Sequence, residues 1–598
     1  VVLLFGFQGE TILERLLASN DPWQISSALG MLEQAEHPDY PASLAQLVDH
    51  ENPEVRRDAA ERIEALKPGW AAELLEERLS QETDENVLAA VIQAVCAVVD
   101  EPISHVGHWL EAESPKLRSA AVCGLFRYGG IDGILEAGAV FNRLAGSNDA
   151  VERADAAKIL EQVAIRNFYH PLVPLLEDSD ERVIHAALRA ARAVAHPALI
   201  ESVVPWIDPV STRAEALTTL IGFGSDVRPL LAACLDGTVQ VSRETAFRII
   251  RSCARIESTE ITRELEASLD HGDRDVAEAV YYTLSGRGYR ATGATRDTVH
   301  RLLHRSCEET ARIVMAMWEM SSLDRATALF GSLGDSYKRH LEIIFQLLSF
   351  VHDPDDVSSA RGRVIEGSAK ERGLGLELLD AMLTGDLKKR VLAVAEHSEG
   401  SPPRTDSYRE LFGLNKLLPH ERIREILEDR GKWPEPWLRI CAHHAAWTMG
   451  LDPEKPEDTV LTTIERVIAL KAADIFAGIP DNILAHIASI GEDVDVAANE
   501  TFIRKGEIGN CMYIIREGRV AIHDETTRFA ELPAGEVVGE MAVLDPEPRS
   551  ASATAIEETM LLKIEKDAFD SVMVDHPGIV RGVIQVLCRR LRNTIQKA

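Results

Sequence analysis

Across the first half of the chain, short polar starts alternate with runs in which apolar and small residues recur every three or four positions. The segments NPEVRRDAAERI, DENVLAAVIQAV, SPKLRSAAVCGL, NDAVERADAAKIL, DSDERVIHAALRAA, TVQVSRETAFRI and DRDVAEAVYYTL share this form. Aligned on the first apolar residue, they put Val55, Val87, Leu117, Val151, Val183, Val241 and Val276 in one column. The steps run from 29 to 35 residues once a degenerate copy, VSTRAEALTTL, is counted. Val87, Val91 and Val95 stand at i, i+4 and i+8, as do Leu117, Ala121 and Leu125, and Val276, Val280 and Leu284. That spacing predicts helices with one apolar stripe each. Asn52-Pro53 and Ser114-Pro115 are helix starts, a capping side chain followed by proline at the first helical position.

A period near 30 with two helices per unit resembles HEAT-like repeats. No unit can bury its stripe alone, so neighbours are expected to stack into a solenoid. Such a surface is either a concave seat for a protein partner or a spacer. Helical signals continue with a weaker period to about residue 450, with HSEGSPPRTDS (397–407) as an internal loop and LDPEKPEDT (451–459) as a linker. From about Phe476 the texture changes to short β-rich pieces punctuated by Gly506, Gly509, Gly518 and Gly535, with helical stretches at roughly 462–490 and 567–597. The expected domains are a repeat solenoid at 1–290, a continued helical region at 291–459 and a β-roll between helices at 460–598.

Charge narrows the function classes. The 598 residues carry 64 basic and 96 acidic side chains, a formal net charge of −32, of which residues 461–598 hold −7. The acidity is spread evenly, which argues against a nucleic-acid binder, since such proteins need a basic face to displace counterions. Eight cysteines without a CxxC pair imply a reducing compartment, the cytoplasm, with neither a disulfide framework nor a zinc site. No apolar run approaches the ~18–20 residues that span a bilayer. The opening Val1–Phe7 run is either an ordinary buried segment or the end of something longer.

The chemistry is concentrated in Gly539-Glu540-Met541-Ala542-Val543-Leu544-Asp545-Pro546-Glu547-Pro548-Arg549-Ser550-Ala551. These residues resemble the phosphate-binding cassette of cyclic-nucleotide-binding domains, found in the catabolite-activator family, in regulatory subunits of cyclic-AMP-dependent kinase and in cyclic-nucleotide-gated channels. The family pattern is Gly-Glu, a short apolar helix, then Pro-Arg and small residues, with Arg nine positions after Glu. That spacing holds from Glu540 to Arg549, and the upstream Ile503–Val520 segment is also similar to the family. The resemblance implies a mostly α protein, a HEAT-like solenoid followed by a C-terminal α+β cyclic-nucleotide-binding β-roll.

It also implies a site. A cyclic phosphate is a monoanion suited to the planar fork of Arg549. Backbone N–H groups after Gly539, at Glu540, Met541 and Ala542, would add donors. Glu540 would accept from the ribose 2′-OH, Ser550 would donate to phosphate, and the small Ala551 would let the backbone approach. In the last helix, Val583, Leu587, Leu591 and Ile595 form a stripe suited to closing over the base, and the family's adenine-contacting Thr falls on Thr594. Cyclic AMP is the expected ligand, with cyclic GMP open. No metal and no further cofactor are expected.

The end at Ala598, without a DNA-binding domain after this helix, argues against a transcription factor. HDPDDV (352–357), ERGLGLELLDAML (371–383), DLKKRVLAVAE (386–396) and WLRICA (437–442) are similar to bacterial proteins in which an ATP/ADP-translocase-like or major-facilitator membrane domain precedes HEAT repeats and a cyclic-nucleotide domain. That likeness implies an upstream membrane domain as the solenoid's partner and a place at the cytoplasmic face of a membrane. Neither G-x-S-x-G, H-E-x-x-H nor G-x-x-x-x-G-K-[ST] occurs, so the expected protein is a non-enzymatic sensor with no catalytic residues. The alternative is an interaction scaffold whose β-roll has lost its ligand.

Overall fold

The computed structural model describes residues 13–575 apart from 14, 20, 322–327, 398–404, 452–455, 474, 477–478, 525–526 and 545–547. The chain divides into two compact units, Val1–Ile261 and Thr262–Ala598. No helix among the described residues is long and apolar enough to cross a membrane.

In the first unit, capping side chains set the repeat. Asn52, Asp84, Ser114, Asp149 and Asp180 each accept a backbone N–H from the first turn of the helices Pro53–Leu66, Glu85–Val98, Pro115–Tyr128, Ala150–Val163 and Glu181–Val194. The expected stripes are buried, with Val87, Val91 and Val95 at 1 % exposure or less. Small residues such as Ala59, Ala121 and Ala187 let consecutive helices pack closely. Two members of the sequence alignment shift. Val151 is 47 % exposed, because the cap Asp149 starts its helix one residue off the assumed register and Ala150 and Ala154 turn inward instead. Val241 precedes its cap Ser242, and Thr245 and Ala246 take the buried positions. The cap, not the first apolar residue, fixes the start of each helix.

At four of the helix starts, those after Asn52, Ser114, Asp149 and Pro209, an arginine four residues after the cap position reinforces the turn. Arg56, Arg118, Arg153 and Arg213 donate to the carbonyls of His50, Ala112, Ser147 and Ile207, each two residues before its cap. Arg56 also reaches Glu82, and Arg153 reaches Asp178, in the segment that leads to the next cap. Neighbouring repeats are thereby tied by charge as well as by packing.

In the second unit, the helices Gly293–Glu319 and Ala328–Ser349 are 27 and 22 residues long and pack on each other, which is why the ~30-residue period fades there. The helix Arg274–Gly286 ends in a turn at Arg287 and Gly288. Of the expected loop at 397–407 and linker at 451–459, residues 398–404 and 452–455 lie outside the described residues. The helices that follow begin at Thr405 and Asp458.

After the helices Asp458–Ala472 and Asp481–Ile490 come, among the described residues, eight strands in two antiparallel four-stranded sheets. They are β1 Glu492–Val496, β2 Thr501–Ile503, β3 Cys511–Glu517, β4 Arg519–Asp524, β5 Thr527–Pro533, β6 Val537–Val538, β7 Ser552–Ala555 and β8 Thr559–Glu565. The sheet orders are β1-β8-β3-β6 and β2-β7-β4-β5. The first sheet is covered on both faces. Met512, Ile514, Leu562 and Ile564 meet Leu470, Leu484 and Ile487 of the two helices, while Ile515 and Leu561 face Ile503, Val520 and Ala553 of the second sheet. The second sheet shows its other face to solvent, so β7 alternates Ser552, Ala553, Thr554, Ala555 between half-buried and buried. Of the stretch expected at 567–597, the helix Lys566–Asp575 is described.

Candidate cyclic-nucleotide site

The cassette begins where β6 ends. Gly539 has φ +82°, a left-handed conformation that glycine tolerates, and it turns the chain into the helix Glu540–Leu544. Pairing of Tyr513 with Val538 and of Ile514 with Val537 brings the start of β3 alongside this turn. The carbonyls of Cys511 and Gly539 therefore converge on one point, and the Arg549 side chain fills it. Arg549 is 9 % exposed. Its Nη1 donates to the Gly539 oxygen at 2.9 Å and its Nη2 to the Cys511 oxygen at 2.6 Å. Its backbone is held as firmly, its N–H donating to Glu507 and its carbonyl accepting from Gly506, both at 2.9 Å.

A guanidinium has five N–H donors, so this arrangement anchors the cation and leaves further donors for a ligand. Beside the two carbonyls, Nη2 also meets Cys511 Sγ at 3.7 Å. Burying a cation is unfavourable, and an anion that reaches its remaining N–H donors offsets the cost.

The other expected residues are placed as follows. Glu540 opens the cassette helix and is half-buried. Met541 is 65 % exposed. Ala542 lies in the same helix, its side chain outside the described residues. Ser550 is exposed and Ala551 half-buried, directly after Arg549. Thr594 and the stripe Val583, Leu587, Leu591 and Ile595 lie outside the described residues. Ile503, Val520, Val538 and Ala553, with Ile522 and Leu532 packed against them, form an apolar cluster, and Ile503 reaches the Gly539 turn. Among the described residues no cluster of three or more His, Cys, Asp or Glu side chains could hold a metal ion.

Sequence reasoning missed two contributors. A Cβ at Gly509 would fall on the Arg549 guanidinium, so this glycine is a seat and not merely a turn. The second glycine of the G-x-x-G spacing is the sequence signal for it. Cys511 contributes through its carbonyl, for which side-chain identity gives no signal. Gly509→Ala is expected to destabilise the β-roll by about 1–3 kcal/mol through overpacking. Hydrogen exchange of the β3 amides reads it; unchanged exchange would mean that the guanidinium is not seated there.

Residues 493–576 match the cyclic nucleotide-binding domain family and residues 9–96 match HEAT repeats. The chain is similar to the CRP-like cAMP-activated global transcriptional regulator of Mycobacterium tuberculosis, 33 % identical over 130 residues, covering 21 % of this chain and 58 % of that protein. It is also similar to lysophospholipase NTE1 of Phaeosphaeria nodorum, 31 % identical over 144 residues, 23 % of this chain and 10 % of that protein. Among solved structures, the Thermus thermophilus catabolite activator protein matches at 25 % identity, with 21 % of this chain and 61 % of that chain covered and a TM-score of 0.20. The chain thus spans little more than half of the regulator and a tenth of the lysophospholipase. These relatives correct one expectation. About a quarter of the chain is similar to lysophospholipases, which are enzymes, so the expectation of a non-enzymatic protein does not stand.

Proposed function

We propose that this protein is regulated by a cyclic nucleotide, cyclic AMP in the first place, which binds the cassette and acts through the helices attached to it. The observation that carries the reading is Arg549, a buried guanidinium anchored by two backbone carbonyls beside the Gly539 turn, with further N–H donors to offer. A cyclic phosphate would accept from those donors at the Gly539 turn. Glu540 would take the ribose hydroxyl, Met541 and Ala542 would add backbone donors, Ser550 and Ala551 would line the phosphate, and Thr594 would meet the base. The regulator from M. tuberculosis, cAMP-activated by name, supports adenine. Calorimetry of the full chain with cyclic AMP and cyclic GMP should show saturable binding of the former; no heat with either at about 1 mM, a binding energy near −4 kcal/mol, would overturn the reading.

What the sensor controls is the finer part of the proposal. The lysophospholipase relatives favour a hydrolase in the same polypeptide or in a partner. The middle-segment likeness to transporter-linked proteins favours a membrane domain reached through the repeats. Labelling by a fluorophosphonate probe, with and without cyclic AMP, tests the first: a labelled serine places the hydrolase in this polypeptide, and an unlabelled protein argues against that placement.

A further inference from the structure

The helices Asp458–Ala472 and Asp481–Ile490 do more than cover the first sheet. Val467, Leu470, Leu484 and Ile487 share one apolar cluster with β3 and β8, and Trp437 of the helix Pro436–Thr448 packs against the same cluster. The polar side of this junction converges on Asp335 of the helix Ala328–Ser349. One oxygen of Asp335, Oδ2, accepts the backbone N–H of Asp481 at 2.7 Å and faces Lys471 Nζ at 3.2 Å. Lys471 also donates to the Ile479 carbonyl at 2.8 Å and stands 2.8 Å from Asp481 Oδ1.

Each part of this arrangement has a physical reason. The first N–H groups of a helix lack partners within it, and a carboxylate beside them is favoured by the helix dipole. Asp335 meets that need for the helix Asp481–Ile490 from a different segment, and through Lys471 it also holds the helix Asp458–Ala472. Asp481 is 4 % exposed and lies close to Gly331, where a Cβ would come within 2.9 Å of Asp481 Oδ2. Burial and the adjacent Asp335 carboxylate push the Asp481 carboxyl up, with Lys471 acting in the opposite direction. Three buried or half-buried charges from three helices are therefore mutually dependent, and removing one leaves the others poorly compensated.

We propose that Asp335 is the positioning residue that clamps the two entry helices of the β-roll to the helix Ala328–Ser349, so that movement at either place is passed to the other. The clamp links the cassette side of the second unit to its long helices without any contact to a ligand. Coupling of this kind needs a two-state element that both sites bias, and the Asp458–Ile490 helix pair, packed on β3 and β8 on one side and held by Asp335 on the other, is that element.

Hydrogen exchange of the full chain tests it with Asp335→Ala and the milder Asp335→Asn, which keeps an acceptor for the Asp481 N–H but loses the charge. Without ligand, Asp335→Ala should speed exchange in the first turn of the helix Asp481–Ile490 and the last turn of Asp458–Ala472 by at least ~10-fold, with β3 and β8 unchanged. Asp335→Asn should have a smaller effect. Equal exchange in both variants and wild type overturns the clamp. So does an increase spread evenly over the second unit, since that is plain destabilisation. A second arm rests on the cyclic-nucleotide reading. Cyclic AMP should protect the cassette in wild type and Asp335→Asn alike, but alter exchange in the helix Ala328–Ser349 more strongly in wild type. Cassette protection with the same distal response in both overturns the coupling. No cassette protection in either protein overturns the ligand reading instead, and the ligand-free arm then decides the clamp alone.

Discussion

Replacing Arg549 by alanine is expected to weaken cyclic AMP binding by about 2–5 kcal/mol, roughly 30-fold to several thousand-fold in Kd, the range for removing one side of a buried charge pair. Two costs combine. The phosphate loses its only buried cation among the described cassette residues, and the carbonyls of Gly539 and Cys511 lose their donors. The second cost also lowers stability without ligand, by about 1–3 kcal/mol for each carbonyl left buried and unsatisfied. Arg549→Lys separates the two. An ammonium keeps the charge but not the planar fork, and it cannot meet two carbonyls and an anion together. The lysine variant should therefore stay folded and bind weakly. Calorimetry that returns the wild-type affinity for both variants would overturn the site, whatever their thermal midpoints.

The second large effect lies in the first unit and concerns stability. Glu82 has a fully buried side chain. It accepts from Arg56 Nε at 2.8 Å and Nη2 at 2.9 Å, from Arg78 Nε at 2.9 Å, and from the backbone N–H groups of Thr83 and Asp84, both at 2.9 Å. Burial alone would raise its pKa, but the two guanidinium groups and the Asp84 N–H outweigh it and hold it at about 2, below an ordinary value of 4.5. Glu82→Gln leaves Arg56 and Arg78 without that charge and should cost about 3–5 kcal/mol, as breaking a buried ion pair does. The pH dependence has a definite sign. A carboxyl depressed in the folded state contributes stability above its unfolded pKa and loses it as protons bind. The difference between wild type and Glu82→Gln should be complete above about pH 4.5 and close as pH falls towards 2. The displacement from 4.5 to about 2 corresponds to roughly 3 kcal/mol. Exchange from the helices Pro53–Leu66 and Glu85–Val98 reads the loss at neutral pH, and thermal scans from pH 5 to 2 read its disappearance. A difference that persists at pH 2 would remove the electrostatic explanation.

The residues that made the fold legible acted locally. Valine and leucine at i, i+4 and i+8 gave the helices their stripes, and Asn52-Pro53 and Ser114-Pro115 marked two starts that the structure keeps. At Val151 and Val241 the first apolar residue does not mark the register, because the cap satisfies the free N–H groups and so decides where the helix begins. Arg56, Arg118, Arg153 and Arg213 stood at a constant distance after their caps in the sequence. Their shared task of donating to the carbonyl two residues before each cap needed the folded turn to become visible.

The cassette shows the same division. Residue types and spacing over Gly539–Ala551 named a cation, an acid and small residues for an anionic ligand, since those requirements are written within thirteen consecutive positions. Sequence could not show that Cys511 and Gly509, some forty residues earlier, seat the guanidinium, because that follows from the pairing of β3 with β6. Nor could it show that Asp335 serves the start of a helix at Asp481, 146 residues away. Periodicity, caps and cassette spacing are properties of neighbouring residues and are set by the sequence alone. The surroundings of Arg549, the clamp at Asp335 and the depressed Glu82 depend on groups that only packing and strand register bring within hydrogen-bond reach, and the tertiary structure decided them.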